Sequence, residues 1–309
     1  MSSDDEVEHV SDTLKTKIAP LPPELQRIAE IEFGETEDGL KEALTKLTQL
    51  LLGEPDLNAR TDPEFLLRFL RVRKFKVNVA LKTIKNYYRN RAAYASTFSG
   101  LTPSSVKQEA KCLHVVLPER DVRGRLVLLT RIGAWMPDTV SYEEFQQACV
   151  MCLDHMANDS SSQMAGISYV IDFGGYTTSK MFSCNISLMK RGLLYLQDSL
   201  PLRTKAIHVV RESYAFDLLF AVLRPFIKKK IRDRISCHGW SFENLHKQIA
   251  ASALPEEYGG NGPAIDFEAF WKGLEQEEPL FIENNRYGYQ MPDSGTPFSD
   301  DDHLANTTV

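Results

Sequence analysis

The sequence predicts an α/β protein in which a small helical bundle precedes a domain with a largely parallel sheet. Three observations support this fold class. Apolar residues make up 43% and charged residues 25% of the 309 residues, which is typical of a globular chain. Helical apolar periodicity runs through the first hundred residues, and short β-rich runs then alternate with helical stretches. No apolar run approaches the ~18 residues that span a bilayer, so an integral membrane protein is excluded.

The N-terminal bundle is expected at residues 21–99, behind a flexible acidic arm at residues 1–20. Residues 1–12 carry five acids and no Lys or Arg. Helices are predicted at 23–33, 38–52, 61–75 and 77–96. The third helix begins with a capping box, because Thr61 lies three residues before Glu64, and Pro63 is tolerated in a first helical turn.

The α/β domain is expected at residues 100–275, followed by an acidic, poorly ordered tail at 276–309. Strands are predicted at 113–117, 125–132, 167–173, 206–210 and 234–237, and helices at 142–157, 181–198, 214–226 and 242–250. Strands that alternate with helices indicate a parallel sheet. The last residues, Thr307-Thr308-Val309, fit a ligand of a PDZ domain, which binds a C-terminal carboxylate.

Motifs for catalysis are weak, so no enzyme is predicted. Asp172-Phe173-Gly174 matches a kinase tripeptide, but no glycine-rich loop or HRD motif accompanies it. The spacing Cys149-x-x-Cys152-x-x-His155 lacks a second ligand pair, so no metal site is expected. The odd, irregularly spaced cysteines indicate reduced thiols in the cytosol. A net charge of −6 argues against general nucleic-acid binding.

The most unusual segment is 213–227, in which twelve of fifteen residues are apolar or aromatic. A helix that is apolar on all sides is either buried or meets lipid, and this one is too short to span a membrane. The basic run Lys228-Lys229-Lys230-Ile231-Arg232 follows directly. These residues agree with two interpretations. The segment is either a core helix with a solvated basic end or a helix that contacts anionic membranes.

Six stretches in the order 65–75, 85–88, 169–175, 198–203, 223–226 and 254–260 resemble the CRAL-TRIO family of lipophilic-ligand carriers. The resemblance covers about residues 25–275. It implies a deep apolar cavity in the α/β domain, closed by a mobile gate helix that matches 213–227. The cavity positions implied by the resemblance are Phe145, Cys149, Cys152, Ile167, Ile171, Leu188, Gly192, Tyr195, Leu196 and Ile207, with Phe216, Phe220 and Leu223 from the gate helix.

The resemblance also implies two sites on the surface. A phosphoinositide headgroup would bind Arg203, Lys205, Lys230 and Arg234, since Lys and Arg suit phosphates. The apolar residues that would contact the membrane are Phe182, Ala215, Leu219 and Val222. Arg68 matches a family arginine that we expect to tie its helix to the α/β domain.

The function implied by the resemblance is that of an intracellular carrier of a tocopherol-like or retinoid-like molecule. Its bound hydrophobic ligand would be delivered to phosphoinositide-containing membranes when the gate helix opens. Such a carrier is cytoplasmic and associates reversibly with membrane surfaces. The alternative is a membrane adaptor recruited by phosphoinositides, in which Thr307-Thr308-Val309 contacts a partner and no bulk transfer occurs.

Overall fold

The computed structural model describes Ile18 and residues 21–289. Its α-helices are α1 Pro23–Ile28, α2 Glu37–Leu52, α3 Pro63–Val72, α4 Val77–Ala93, α5 Ala95–Phe98, α6 Gln108–Lys111, α7 Tyr142–Asn158, α8 Ser160–Ala165, α9 Thr178–Ser183, α10 Ile186–Asp198, α11 Tyr214–Leu223, α12 Lys229–Arg232, α13 Glu243–His246, α14 Phe267–Glu275 and α15 Glu278–Asn284. The strands are β1 Leu57–Asn58, β2 His114–Val116, β3 Leu126–Thr130, β4 Ile167–Asp172, β5 Thr204–Val210, β6 Ile235–Cys237 and β7 Gly288–Tyr289. The acidic arm and Thr307-Thr308-Val309 lie outside the described residues.

The helical bundle forms because its longer helices α2, α3 and α4 each bury one apolar face. On α2, Leu44, Leu47 and Leu51 are almost fully buried, as their spacing predicts. The third helix, α3, begins at Pro63, one residue later than a cap at Thr61 implies, and its cap differs from the prediction. The Asp62 carboxylate, and not Thr61, accepts the backbone N–H of Phe65 at 3.1 Å. Asp62 is the residue directly before the first helical residue, which is the position where a side chain reaches that N–H.

The central sheet has five strands in the order β2-β3-β4-β5-β6. β2 is antiparallel to β3, and the other three pairs are parallel. The α/β prediction is therefore confirmed, and each predicted strand overlaps one of these five. Side chains alternate between the two faces of the sheet. Val127 and Leu129 join one apolar cluster, while Leu128 joins the larger cluster that extends into the helical bundle.

Two helix predictions are wrong in their extent. The single helix expected at 181–198 is two helices, α9 and α10. The break comes at Asn185, whose side chain accepts the backbone N–H groups of Ser187 and Leu188 and so caps the start of α10. The helix expected at 242–250 is only the single turn α13.

The chain after residue 275 is not a poorly ordered tail as far as Tyr289. It forms α15 and β7, and β7 pairs with β1 of the helical bundle in antiparallel fashion. The amide of Asn58 donates to the carbonyl of Arg286 at 3.1 Å, which holds the two segments together. This segment is acidic, but Phe281 is buried and anchors it. The helical bundle therefore contains chain from both sides of the α/β domain.

Contacts between the bundle and the α/β domain are made by two buried arginines. Arg71 pairs with Glu35 and donates to the amide oxygen of Gln163 in α8 at 2.6 Å. Arg91 of α4 lies 3.6 Å from the carboxylate of Asp154 in α7. Arg68, which we expected in this role, donates to the carbonyl of its own helix at Glu64 instead.

Within the described part of the chain, no helix is long and apolar enough to cross a membrane.

Candidate functional site

An apolar cavity of about 260 Å³ lies between the sheet and the helices α7, α10 and α11. Its floor is formed by alternate residues of β4, including Tyr169 and Ile171, and by Phe173 just beyond the strand. On α7 the lining residues recur at helical spacing, from Tyr142 to Leu153. This volume lies just below the range of about 300–1,000 Å³ for pockets that bind small molecules.

Eight of the predicted cavity residues line this space. They are Phe145, Cys149, Ile171, Leu188, Gly192, Tyr195, Leu196 and Leu223. The structure thus brings together residues from one strand and three helices.

The other five predicted cavity residues lie outside the cavity wall. Cys152 is fully buried in the core because it stands one position off the lining face of α7, where Leu153 takes its place. Ile167 lies at the opposite end of β4 from Ile171 and is also fully buried. Ile207 packs against the core from the neighbouring strand β5.

The two gate phenylalanines, Phe216 and Phe220, are outside the wall because they pack against other rings. Their rings stack on each other at 5.6 Å, and Phe216 contacts Phe173 at 4.8 Å. Gate helix α11 instead presents Leu219 and Leu223 to the cavity.

Sequence reasoning missed the part of the wall that comes from the helical bundle. Tyr94, Thr97 and Phe98 line the cavity from the end of α4 and from α5. Phe98 lies 5.1 Å from Tyr195, so the bundle and α10 meet at the cavity. Nothing in the local pattern of these residues distinguishes them from ordinary core residues, because the contact depends on how the two parts of the chain dock.

Gly192 lines the cavity and also makes room for a neighbouring side chain. An added Cβ would lie 2.5 Å from the side-chain nitrogen of Gln146. That amide donates to the carbonyl of Leu188 at 3.0 Å, so the glycine makes room for a polar group that ties α7 to α10.

The cavity wall also contains a tyrosine hydroxyl without a hydrogen bond of good geometry. The hydroxyl of Tyr169 is buried and lies near Thr204, but no partner meets the criteria of a hydrogen bond. Burial raises the pKa of Tyr169 above its usual value near 10. The hydroxyl therefore stays protonated.

The predicted membrane-contact residues divide into two groups. Phe182 of α9 is 80% exposed and Val222 of α11 is 46% exposed, as a membrane contact requires. Ala215 and Leu219 are buried on the inner face of α11, although we expected them to be exposed. The reason is the orientation of α11, which turns Leu219 toward the cavity. Tyr214 and Phe226 extend the exposed apolar surface instead.

All four residues predicted to bind phosphoinositide meet in a second pocket, the basic cleft, of about 490 Å³. Eight Lys and Arg side chains line it, against only two carboxylates, Glu32 and Asp198. The basic residues are Arg73, Lys74, Lys76, Arg203, Lys205, Lys228, Lys230 and Arg234. The first three come from the helical bundle and were missed by sequence reasoning.

The positions of the arginines in the basic cleft are fixed by neighbouring groups. Arg203 donates to the carbonyls of Gln163 and Met164, and its guanidinium lies 4.4 Å from the centre of the Phe33 ring. Arg234 donates to the carbonyl of Thr204. A site held in this way loses little side-chain entropy when an anion binds.

The turn that follows α3 brings the bundle's cations to the cleft. Lys74 and Phe75 adopt φ values of 52° and 56°, which is uncommon for residues other than glycine. The conformation reverses the chain so that Arg73, Lys74 and Lys76 reach one pocket. Such backbone strain costs about 1 kcal/mol or more per residue and persists only where the surrounding structure holds it.

The lysines of the basic cleft are perturbed by burial and by one another. Desolvation lowers the pKa of Lys205, and the neighbouring Arg203 and Arg234 lower it further. Desolvation likewise lowers the pKa of Lys230, with added repulsion from Arg234 and Arg73. A bound polyanion would relieve this repulsion, so the cleft has the electrostatics of an anion site.

The end of α10 forms a wall shared by the cavity and the basic cleft, since Leu196 lines both. The same end holds the chain that follows α11. The amide of Gln197 donates to the carbonyl of Phe226 at 3.1 Å and accepts the backbone N–H of Lys228 at 2.7 Å. The Lys228 ammonium pairs with the Asp198 carboxylate inside the cleft. The chain that follows α11 is thus fastened beside the basic cleft.

The kinase-like tripeptide has a structural role at the start of the gate. The carboxylate of Asp172 accepts the guanidinium of Arg211 and the hydroxyl of Tyr258, the latter at 2.9 Å. Arg211 has a φ of 52° in the turn before α11, so this network holds a strained residue in place.

Among the described residues, no group of His, Cys, Asp and Glu could hold a metal ion.

Comparison with known proteins places these features in context. The family model for the CRAL/TRIO domain matches residues 110–260. An "Alpha-tocopherol transfer protein-like" protein of Homo sapiens is 36% identical over 221 residues, which cover 71% of this chain and 64% of the relative. The chain thus spans slightly less than two thirds of that relative's length. Clavesin-2 of Homo sapiens is 30% identical over 279 residues, covering 89% of this chain and 85% of the relative. A crystal structure of Sfh5 aligns with a TM-score of 0.51 and 12% identity over 79% of this chain and 98% of that chain, which supports the fold alone.

Proposed function

Because this chain belongs to the CRAL/TRIO family, we propose that it carries a lipophilic small molecule and delivers it to phosphoinositide-containing membranes. The observation that carries the proposal is the apolar cavity beneath α11, which stands beside a cleft with eight basic residues. Burial of ligand surface, at roughly 25 cal/mol per Å², would provide the binding free energy. The name of the tocopherol transfer protein-like relative agrees with a ligand of that class.

The ligand we propose is mostly apolar with an oxygen at one end. The wall is mostly aliphatic and aromatic, and its few polar side chains include Gln146 and Arg191. Pockets of this kind fix the orientation of a ligand through a few polar groups in an apolar surface. Tocopherol-like and retinoid-like molecules both fit this description.

Membrane contact would use the exposed apolar surface and the basic cleft together. Phe182, Tyr214 and Val222 would enter the acyl boundary, while the basic cleft would hold an anionic headgroup. The headgroup would also compete with Asp198 for Lys228, since both offer negative charge to the same ammonium. Loss of that pair would loosen the chain after α11 and favour the open form, which is a shift of population toward the state that the headgroup binds better.

The proposal is tested by native mass spectrometry and organic extraction of the purified protein. We expect a hydrophobic molecule bound at one per chain in the wild type. Replacement Gly192→Leu should weaken the affinity for this molecule about 5- to 150-fold, because the new side chain displaces Gln146 and crowds the cavity wall, and such overpacking costs roughly 1–3 kcal/mol.

Gly273→Leu is the matched control, since this glycine lies on helix α14 with nothing within 4 Å of an added Cβ. Its occupancy should equal that of the wild type. An empty wild-type protein that still binds phosphoinositide vesicles would reject the carrier and favour the adaptor alternative.

A second prediction concerns the pH dependence of the basic cleft. Since burial and neighbouring cations lower the pKa of Lys205 and Lys230 from 10.5, these lysines deprotonate earlier than ordinary lysines. A polyanion binds the protonated form better, so its affinity should fall as the pH rises, beginning below pH 10.5. Titration calorimetry with inositol hexakisphosphate between about pH 8 and 10 measures this.

The matched variant is the double replacement Lys205→Arg with Lys230→Arg, which keeps the charge but does not titrate in this range. Its affinity should stay level over the same interval. A decline of equal size in the wild type and in this variant would contradict the prediction.

A further inference from the structure

The carboxyl ends of the four neighbouring parallel strands β3, β4, β5 and β6 lie along one edge of the sheet. The chain that leaves each of these ends exposes a large apolar side chain soon afterwards. These side chains are Met136 after β3, Phe182 after β4, Tyr214 after β5 and Trp240 after β6, and they are between 52% and 80% exposed. We call these four residues the carboxyl-edge rim.

Exposed aromatic rings are concentrated in this rim. Among the described residues, the three aromatic side chains that are more than 70% exposed are Phe182, Tyr214 and Trp240. The other two tryptophans, Trp135 and Trp271, are buried, and each donates its indole N–H to a backbone carbonyl. Apolar side chains that are exposed together at one edge mark an interaction surface.

The loop that carries Trp240 is bound to the start of the gate helix. The backbone N–H of Arg211 donates to the carbonyl of Gly239 at 2.7 Å, and the N–H of Gly239 donates to the Glu212 carboxylate at 2.9 Å. Gly239 has a φ of 59°, which a glycine adopts without strain. The position of Trp240 is therefore set by the residues just before α11.

The other segments of the rim are joined in the same way. The ammonium of Lys180 donates to the carbonyls of Gly133 and Gly175 at 2.6 and 3.1 Å, which fixes α9 to the chain that follows β3. The hydroxyl of Ser213 donates to the carbonyl of Tyr176 at 3.3 Å, which joins the segment before α9 to the start of α11. The four exposed side chains thus project from one connected edge.

A lipid surface is the partner that this arrangement fits best. In the described part of the chain, none of the three exposed rings contacts another aromatic ring. Protein interfaces have a closely packed apolar core. Separate Trp and Tyr rings are typical of the boundary between headgroups and acyl chains, where the ring is buried and its polar tip stays hydrated. The rim is also continuous with α11, whose exposed Val222 belongs to the membrane contact proposed above.

The rim and the basic cleft lie at opposite ends of β5. Lys205 of the cleft is at the first end of this strand, and Tyr214 follows its last residue, Val210. A strand of seven residues spans about 20 Å at roughly 3.3 Å per residue. Helix α11 begins at the rim, and the chain that follows it is fastened beside the cleft. Attachment at both ends would hold the membrane along the gate helix.

We propose that Trp240 is a membrane anchor and that the carboxyl-edge rim enters the acyl boundary as a unit, with Met136 at its far end. The proposal rests on the proposed function of delivery to membranes. It adds a second point of attachment that does not depend on the headgroup. Through Gly239, this attachment also holds the start of the gate helix at the membrane surface.

The first test uses native tryptophan fluorescence, because Trp240 is the exposed one of the three tryptophans in the chain. On vesicles of phosphatidylcholine and phosphatidylinositol bisphosphate, we expect a blue shift and quenching by phosphatidylcholine brominated in the upper part of its acyl chains. Trp240→Phe should bind these vesicles within about 3-fold of the wild type, since the ring is kept, but should show neither change.

The second test measures affinity by flotation with the same vesicles. Trp240→Ala should bind about 5- to 20-fold more weakly, because the apolar surface of the ring is no longer buried. Its affinity for inositol hexakisphosphate, measured by calorimetry, should equal that of the wild type, because the cleft lies at the other end of β5. Leu52→Ala is the matched control, since Leu52 is equally exposed but lies at the end of α2, outside the rim, and its vesicle binding should be unchanged.

The outcomes separate this proposal from the proposed function. A wild type that floats while Trp240 stays unquenched overturns the anchor, leaves the rim as a surface for a protein partner, and retains delivery to membranes. Equal losses in Trp240→Ala and Leu52→Ala also overturn the anchor. Equal flotation with and without phosphatidylinositol bisphosphate, with Trp240 quenched in both, supports the anchor and rejects the headgroup site. A wild type that floats with neither kind of vesicle rejects both proposals.

Discussion

Replacing Lys230 and Arg234 with alanine should weaken binding to phosphoinositide vesicles by roughly 100-fold, or about 3 kcal/mol. Both side chains line the basic cleft, and Arg234 is already oriented by the carbonyl of Thr204. A hydrogen bond to a charged group contributes about 1.5–3 kcal/mol, and each basic residue near an anionic surface contributes about 1 kcal/mol. Transfer of ligand to these vesicles should fall in parallel.

The control has the same loss of charge in the same basic run of the chain. Lys229 and Arg232 belong to α12 but do not line the cleft, and Lys229 pairs with Asp233 on the surface. Replacing these two with alanine should weaken binding by no more than about 2 kcal/mol, or roughly 30-fold, through general attraction to the surface alone. Binding is measured by flotation at several salt concentrations. Equal losses in both double variants, or unchanged transfer by the cleft variant, would reject the cleft as the headgroup site.

Replacing Asp154 with alanine should lower the free energy of unfolding by about 3–5 kcal/mol. Asp154 is buried on α7, where it pairs with Arg91 of α4 at 3.6 Å. Without the carboxylate, the guanidinium of Arg91 stays buried between the rings of Tyr87 and Phe98, at 5.3 and 5.1 Å. Asn285 is the neutral partner that remains, at 3.2 Å, and it cannot balance the charge.

The free energy of unfolding of Asp154→Ala is measured by urea denaturation. The double replacement Arg91→Met with Asp154→Leu should recover much of the loss, since it removes both buried charges. Asp233→Ala is the surface control, because its partner Lys229 is 79% exposed, and its effect should be close to zero. A loss for Asp154→Ala no larger than that of Asp233→Ala would contradict the importance of the buried pair.

This ion pair also connects the two parts of the molecule at the cavity. Phe98, which contacts the Arg91 guanidinium, is a cavity residue, and Leu153 next to Asp154 is another. Loss of the pair between Arg91 and Asp154 should therefore make the cavity wall near Phe98 and Leu153 less rigid. For this reason we expect Asp154→Ala to retain less ligand than the wild type at temperatures where it is still folded.

The sequence predicts those features that depend on local patterns. The five strands of the sheet are visible because buried parallel strands form short apolar runs, such as the one around Val170. The four cations at Arg203, Lys205, Lys230 and Arg234 could be grouped only through the resemblance, since they come from different elements. Their meeting in one cleft follows from the docking of β5, α12 and β6.

Features that depend on contacts between distant segments could not be predicted. Tyr94 and Phe98 look like core residues of the bundle, and only its docking makes them part of the cavity. The same is true of Arg73 and Lys74, whose approach to the cleft depends on two residues with left-handed backbone. The break at Asn185, in contrast, could have been predicted from the sequence. An asparagine within an apolar helical run is a local signal of a helix cap.

The pairing of β7 with β1 has a consequence for synthesis on the ribosome. Leu57 and Asn58 are made early, but their strand partners Gly288 and Tyr289 come near the end of the chain. The N-terminal bundle therefore cannot complete its own hydrogen bonds until the entire α/β domain has been translated, although domains generally fold from the N-terminus onward. The nascent bundle must wait in an incomplete form, with the unpaired edge of β1 exposed, and a chain that stops shortly before residue 288 would never leave that state.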